Sequence, residues 1–261
     1  MAPLKLMAVL AHPDDESLGL GGTLAKYASE GVDVFLVTAT RGNAGRYRGH
    51  PEGHAEHPGA AALAEIREAE LRAAASALGI GDVTVFDYQD GRLDSVDPRD
   101  AVSTIAAQLR RVQPDVVVTF GPDGAYGHPD HIAISQFTSA AVVTAAPART
   151  SKLYHIAWPP STWAAYEIGI AKLASTVDGV ARQATPWPEW AITTVIDTRP
   201  FWTTVWRAVS CHVSQIAAYE RLAHLSPVDH EALWGAQSFY RAFSLVNGGR
   251  ARETDLFEGL R

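Results

Sequence analysis

Two short stretches of this 261-residue chain hold side chains that can act on a substrate together. The first is Ala11-His12-Pro13-Asp14-Asp15-Glu16-Ser17. The second is Gly121-Pro122-Asp123-Gly124-Ala125-Tyr126-Gly127-His128-Pro129-Asp130-His131. Imidazole and carboxylate are donors that zinc accepts, and a catalytic zinc takes three protein ligands and keeps a fourth position for water. His12 and Asp15 lie three apart with Pro13 between them. The proline stiffens the turn, so two side chains can converge at a small ordering cost. A third ligand must come from the second stretch, where His131 and His128 both qualify. Asp14 is then left beside the metal, free to handle protons. Iron fits the same nitrogen and oxygen donors.

Each stretch begins where an apolar run stops, residues 4–10 for the first and 115–120 for the second. Such runs read as buried strands of a parallel sheet, and ligands bind at the C-terminal ends of those strands. Between them, helix and strand patterns alternate. A helix ends at Gly31, a strand covers 32–40, and a helix covers 60–78 with Gly79 as its cap. A strand follows at 83–86, then a helix at 98–112 opened by Pro98, a strand at 116–120 and a helix at 132–146. This alternation predicts an α/β fold with a mostly parallel, doubly wound sheet and helices on both faces. The glycines of Leu18-Gly19-Leu20-Gly21-Gly22-Thr23 are not a dinucleotide fingerprint, because position 24 is Leu24. They let a helix N-terminus approach the site.

The last third is less regular. Strands are expected at 152–157 and 193–196, a helix at 201–222, and a final strand or extended cover at 239–246. A Pro- and Trp-rich stretch fills 158–190, its aromatic side chains read mostly as packing, with a substrate platform or wall as the lesser alternative. No Ser- or Gly-rich linker occurs, so residues 1–261 are read as a single domain whose C-terminal third wraps the core or forms a wall of the pocket.

Composition sets further bounds. A chain of this length buries roughly three quarters of its unfolded surface and needs no staples. Its one cysteine, Cys211, permits no internal disulfide, which fits a reducing, cytoplasmic setting. The net charge is −7 without a basic run, which argues against nucleic acid. The first apolar run is too short for a signal peptide or a membrane span. Self-association is left open. No Gly-x-Ser-x-Gly elbow, P-loop or His-Glu-x-x-His occurs, so a serine hydrolase is not expected.

Several residues admit plainer readings. Asp130 can cap the helix that follows, or orient a histidine beside the metal, or both. Arg67 and Glu70 can form a solvated pair on their helix. Asp90-Gly91 can be a turn, and His212 a satisfied helix histidine. Residues 46–59 carry His50, His54 and His57 with Glu52 and Glu56. Pro51 and Gly53 break any helix that would align those histidines, so this stretch reads as a surface loop or a lid rather than a second metal site.

The two His-Pro-Asp stretches together resemble the signatures of the PIG-L/LmbE-like zinc N-deacetylases, a family that includes mycothiol- and bacillithiol-pathway deacetylases and a mycothiol-conjugate amidase. The similarity extends over most of the chain, including Thr40-Arg41-Gly42, the stretch around Arg67 and His212-x-Ser214-Gln215. The resemblance implies a Rossmann-like fold and an enzyme that removes the N-acetyl group of a GlcNAc-type amino sugar. It puts the zinc ligands on His12, Asp15 and His131 and the general base on Asp14. It implies that His128 assists the tetrahedral intermediate with Asp130 orienting it, that Tyr126 polarises the carbonyl, and that Arg67 and Asp90 hold the sugar. Asn43 stands where many members carry Glu after Thr-x-Gly, which bears on substrate identity. An amidase of thiol conjugates is the runner-up within enzymes, and a sugar-binding module without turnover is the non-enzymatic one.

Overall fold

The computed structural model describes residues 3–145, 150–169, 175–177, 180–183, 185–247, 249 and 251–261. The elements run β1 Lys5–Leu10, α1 Asp15–Leu18, α2 Gly21–Ser29, β2 Asp33–Thr40, α3 Ala60–Leu78, β3 Asp82–Tyr88, α4 Pro98–Val112 and β4 Val116–Thr119. There follow a single turn α5 Gly124–Gly127, α6 Pro129–Thr144, β5 Lys152–Ile156, α7 Pro160–Gly169 and a small hairpin of β6 Ser175–Val177 and β7 Val180–Arg182. The last are β8 Thr194–Asp197, α8 Trp202–Val209, α9 Ile216–Tyr219, α10 Pro227–Trp234 and β9 Ala236–Ser244. Seven strands form one sheet in the order β3-β2-β1-β4-β5-β9-β8.

The first five of these strands pair in parallel, with β1 between β2 and β4. Leu6 to Leu10 are wholly buried, as a strand covered on both faces requires. The chain steps outward from β1 to β3 and then returns to β4 on the other side of β1. That reversal is the switch point of a doubly wound sheet, where a crevice opens beyond the strand ends. Both chemistry-bearing stretches emerge there, one from β1 and one from β4.

Local signals explain several boundaries. Asp97 caps α4 by accepting from the Arg99 amide at 2.9 Å, and Pro98 sits in its first turn. Gly79 ends α3 at φ 79, a conformation that disfavours a side chain. α6 starts at Pro129 rather than at 132, because His128 is its cap and accepts from the Asp130 amide. The far end of that expected helix, residue 146, lies outside the described residues.

The last third departs most from expectation. β9 adds antiparallel to β5, and β8 adds antiparallel to β9. These strands extend the sheet instead of wrapping it. The helix expected over 201–222 stops at Val209 and resumes as α9 after a tight turn at 210–215. The turn carries His212 inward, where it is fully buried. α7 and α10 were not anticipated; Ser226 and Asp229 build a capping box for the second.

Candidate active site

The site forms where the ends of β1 and β4 meet. Asp15, the first residue of α1, folds back over its own turn. Its Oδ2 accepts from the His12 amide at 2.7 Å and the Ala11 amide at 3.2 Å. His131, one turn into α6, reaches across from the other strand end. His12 Nδ1 lies 3.1 Å from His131 Nε2 and 3.6 Å from Asp15 Oδ2. Asp15 Oδ1 lies 3.3 Å from His131 Nε2. A tetrahedral metal bound at zinc distances sets its donors about 3.4 Å apart. The three residues have the donor types of a metal site, with one Asp15 oxygen turned toward each imidazole, and His128 joins His12 and His131 in a second donor group of the same kind. The His131 ring is held by stacking on Phe120, 3.9 Å between centroids and 8° from parallel.

The far nitrogen of His12 meets two carboxylates, Asp130 Oδ2 at 3.1 Å and Asp90 Oδ1 at 3.2 Å. A histidine whose second nitrogen donates to a carboxylate is the usual arrangement of a metal ligand. Burial alone would depress the His12 pKa, but the hydrogen bonds it donates to Asp130, Asp15 and Asp90 outweigh it and hold the pKa well above its ordinary value. Burial would raise Asp90, yet its bond to His12 brings it to about 2. Asp15 and Asp130 are likewise buried, and the histidines beside them keep both pKa values low. Three ionised carboxylates crowd this end of the cavity, a charge that a divalent cation would balance.

Asp130 does not orient His128, contrary to the expectation from resemblance. Its carboxylate goes to His12 and to the amides of Gly91 (2.7 Å) and Leu93 (3.0 Å). Nor does it cap α6. His128 does that with its Nδ1, which accepts from the Asp130 amide at 3.2 Å. The other His128 nitrogen therefore carries its hydrogen. Burial, followed by the charges of His12 and His131, lowers the His128 pKa to about 3. Tyr126 stands 5.8 Å from His128 and 5.3 Å from His131 between ring centroids. Burial and the charges of Asp15 and Asp14 keep its phenol protonated.

Asp14 lines the cavity beside this cluster. Arg67 reaches it with Nη2 at 3.1 Å and also donates to the carbonyls of Pro13 and Gly42. Arg67 is only 4% exposed. The solvated Arg67–Glu70 pair does not exist; Glu70 instead accepts from the Ser214 amide at 2.7 Å and the Ser214 hydroxyl at 2.6 Å. Asp90 is no plain turn residue either, since Oδ2 accepts from the Ala44 amide at 2.7 Å while Oδ1 faces His12. Both Arg67 and Asp90 line the cavity.

The cavity has a volume of about 660 Å³. One wall is Trp158 stacked on Tyr166, 4.4 Å apart, with the Tyr166 hydroxyl donating to the Leu18 carbonyl. The Trp-rich stretch was a candidate wall in the sequence, and Trp158 takes that place; Tyr166 carried no such signal. From the loop 46–59 only Arg46 lines the cavity. The rest folds away: the Arg48 amide donates to the Ser214 carbonyl at 2.6 Å, and a side chain at Gly49 would touch Ala217. The loop is therefore not a lid in this arrangement. Its His50 and His54 rings stack at 4.1 Å, with Glu56 Oε2 3.3 Å from His50. His54 Nδ1 is already taken by the Glu56 amide at 3.2 Å.

Sequence reasoning also missed the partnership of Glu16 and His212, 2.7 Å apart and both fully buried. Nothing local announces it. Arg67 did leave a signal, since it occupies the buried face of α3 with Leu63, Ala64 and Leu71. An arginine on such a face needs a partner.

Comparison with known proteins bears on this geometry. Residues 7–142 match the family model described as PIG-L, GlcNAc-PI de-N-acetylase. The chain is 35% identical over 245 residues, 83% of each chain, to the 1D-myo-inositol 2-acetamido-2-deoxy-alpha-D-glucopyranoside deacetylase of Rhodococcus jostii (strain RHA1). It is 32% identical to the enzyme of that description from Kineococcus radiotolerans, covering 99% of this chain and 83% of the relative. Among solved structures it resembles the 4-carboxy-2-hydroxymuconate hydratase GalB of Pseudomonas putida KT2440, with a TM-score of 0.67, 20% identity, and 95% and 100% of the two chains covered. It also resembles the N,N'-diacetylchitobiose deacetylase of Pyrococcus horikoshii, with a TM-score of 0.64, 18% identity, and 92% and 84% covered. At such identities these two likenesses speak for the fold, which a hydratase and a deacetylase share. By the match of its first half to the family model and its similarity to the deacetylases along nearly its whole length, the chain belongs to the PIG-L family.

Proposed function

We propose that this protein is a zinc-dependent N-deacetylase that hydrolyses the acetamide of a GlcNAc-type amino-sugar glycoside. The observation that carries the reading is the cluster of His12 Nδ1, Asp15 and His131 Nε2 at 3.1–3.6 Å, with the Asp14 carboxylate beside it on the cavity wall. His12, Asp15 and His131 would hold the ion. A divalent ion there supplies Lewis acidity toward the acetyl carbonyl and water activation near neutral pH.

The chain's own groups do the rest. Asp14 takes a proton from the attacking water as the oxygen adds to the acetyl carbon. The Tyr126 hydroxyl donates to the developing oxyanion. His128 is neutral, with its hydrogen on the nitrogen that does not face the Asp130 amide, and it donates a hydrogen bond to the same oxyanion. Asp14, now protonated, passes its proton to the nitrogen as the C–N bond breaks. Acetate and a free amine leave. Arg67 and Asp90 meet sugar hydroxyls from the cavity wall and also brace Asp14 and His12. A cytoplasmic setting is supported by the lone thiol of Cys211.

The test is amine release from a panel of N-acetyl amino sugars and thiol conjugates, with metal analysis of the purified protein. Release of amine from a GlcNAc glycoside, lost on chelation and restored by zinc, is expected. Full activity in metal-free protein overturns the metal reading. Turnover of thiol conjugates in preference to sugars makes the protein an amidase, and binding without turnover makes it a sugar-binding module.

A further inference from the structure

Asp14 has a backbone that should not hold itself. Its φ is 109° and its ψ −25°, in the left-handed half of the map. A residue with a side chain persists there only when its surroundings impose it, at a cost on the order of 1–3 kcal/mol. The flanking hydrogen bonds identify what imposes it. The Asp14 carbonyl accepts from the amides of Ser17 (3.1 Å) and Leu18 (3.0 Å), as any first turn would arrange. The Asp14 amide is different: it donates to a side chain, Glu16 Oε2, at 2.9 Å.

Glu16 is itself fixed on its other oxygen. Oε1 accepts from the Ser17 hydroxyl at 2.6 Å and faces His212 Nε2 at 2.7 Å. Glu16, Ser17 and His212 are all fully buried. His212 reaches this position only because the chain turns sharply after α8. The same turn is anchored to α3 through Ser214 and Glu70 and to the cavity rim through Gln215 Nε2 on the Arg46 carbonyl at 2.8 Å.

A buried carboxylate–imidazole pair adds little net stability. This one also leaves His212 Nδ1 buried with no hydrogen-bond partner among the described residues, which is costly. Stability alone does not account for such a pair. Control of the backbone next to it does.

We propose that Glu16, held in place by His212, is the positioning residue for Asp14. It captures the Asp14 amide in the left-handed conformation, so that the carboxylates of Asp14 and Asp15 part company, one to the cavity wall and one into the ligand cluster. Without that capture the turn relaxes to an ordinary conformation and the Asp14 carboxylate leaves its place beside Arg67. The inference rests on Asp14 as the base of the proposed deacetylation.

The test is a double-mutant cycle of Glu16→Ala and Asp14→Asn, with kcat, KM and metal content read for each variant on a GlcNAc glycoside. Glu16→Ala is expected to lower kcat about 10- to 100-fold with KM and metal content close to wild type. Glu16→Gln, whose amide oxygen still accepts from the Asp14 amide, should recover most of the loss. On the Asp14→Asn background, Glu16→Ala should cost nothing more, because it acts through Asp14. An undiminished loss on that background overturns the inference, as does a wild-type kcat in Glu16→Ala. Full activity in Asp14→Asn alone overturns the assignment of the base instead. Should Glu16→Ala not fold, His212→Phe and His212→Gln carry the test. The first removes the partner and should lower kcat several-fold at constant KM; the second retains a donor at that place and should restore it. Equal kcat in both overturns the inference.

Discussion

Asp14 and Asp15 are neighbours in the chain and do different work. Asp15 is tied to backbone amides and to two imidazoles, the place of a ligand in the proposed metal site. Asp14 has its carboxylate on Arg67 and on the cavity wall. Asp14→Asn keeps the size and still accepts from Arg67, but it cannot carry a proton. It should retain one metal per chain and lose about 10²- to 10⁴-fold in kcat, the usual contribution of a general base. Loss of metal in this variant, read by elemental analysis, would exchange the roles of the two aspartates. His131→Ala should do the opposite: metal content falls toward zero, and activity with it.

At the scale of elements, the loop after β2 and the helix α3 work as one part. Arg67 on α3 reaches across to the Gly42 carbonyl, and Gly42 adopts φ 66. A methyl group there would both strain the backbone and overlap the Arg67 guanidinium. Gly42→Ala should therefore cost about 1–3 kcal/mol of stability and lower kcat by displacing Arg67 from Asp14, as thermal melts and steady-state rates would report. The rest of the excursion is a separate matter. Residues 48–57 stay off the cavity, so a Gly-Ser replacement of that stretch should leave the ranking of aglycones unchanged. Trp158→Ala, which removes half of the aromatic wall, should raise KM several-fold for glycosides with a bulky aglycone. A ranking altered by the loop and not by Trp158 would restore the loop as a lid.

At the scale of the molecule, one carboxylate ties the last third together across the strands it adds to the sheet. Glu253 accepts from Lys152 (2.8 Å) and Tyr154 (2.7 Å) on β5 and from Thr194 (2.8 Å) on β8, and pairs with Arg241 (2.7 Å) on β9. Burial would raise its pKa, but Lys152, Asn247, Tyr154 and Thr194 bring it from 4.5 to about 2. A carboxylate depressed by folding contributes its full stability above its unfolded pKa and loses it as pH falls toward the folded one. Between pH 4.5 and 2 this group should forfeit about 3 kcal/mol. Denaturation followed across that window should show a shallower pH dependence in Glu253→Gln than in wild type. Equal slopes would mean that Glu253 does not couple folding to acid. The strands it joins matter to the site because β9 and β8 cover the edge of β5, and the segment between them carries α8 and the turn that delivers His212.

The sequence by itself determined the parallel half of the sheet, since buried strands and capped helices are written in runs and spacings a few residues long. It also determined that two sets of His, Pro and Asp emerge at strand ends, because each set directly follows its own apolar run. The partners of those residues were a matter for the tertiary structure. Asp130 could be read as a cap or as a partner of His128, and the fold gave it to His12, 118 positions away. Arg67 could be read as half of a surface pair, and the packing of α3 sent it to Asp14, 53 positions away. Glu16 and His212 are separated by 196 positions. No local pattern encodes a contact of that span: which of several chemically equivalent carboxylates an imidazole meets depends on how strands are ordered and where a helix breaks. Those are outcomes of packing the whole chain around one sheet.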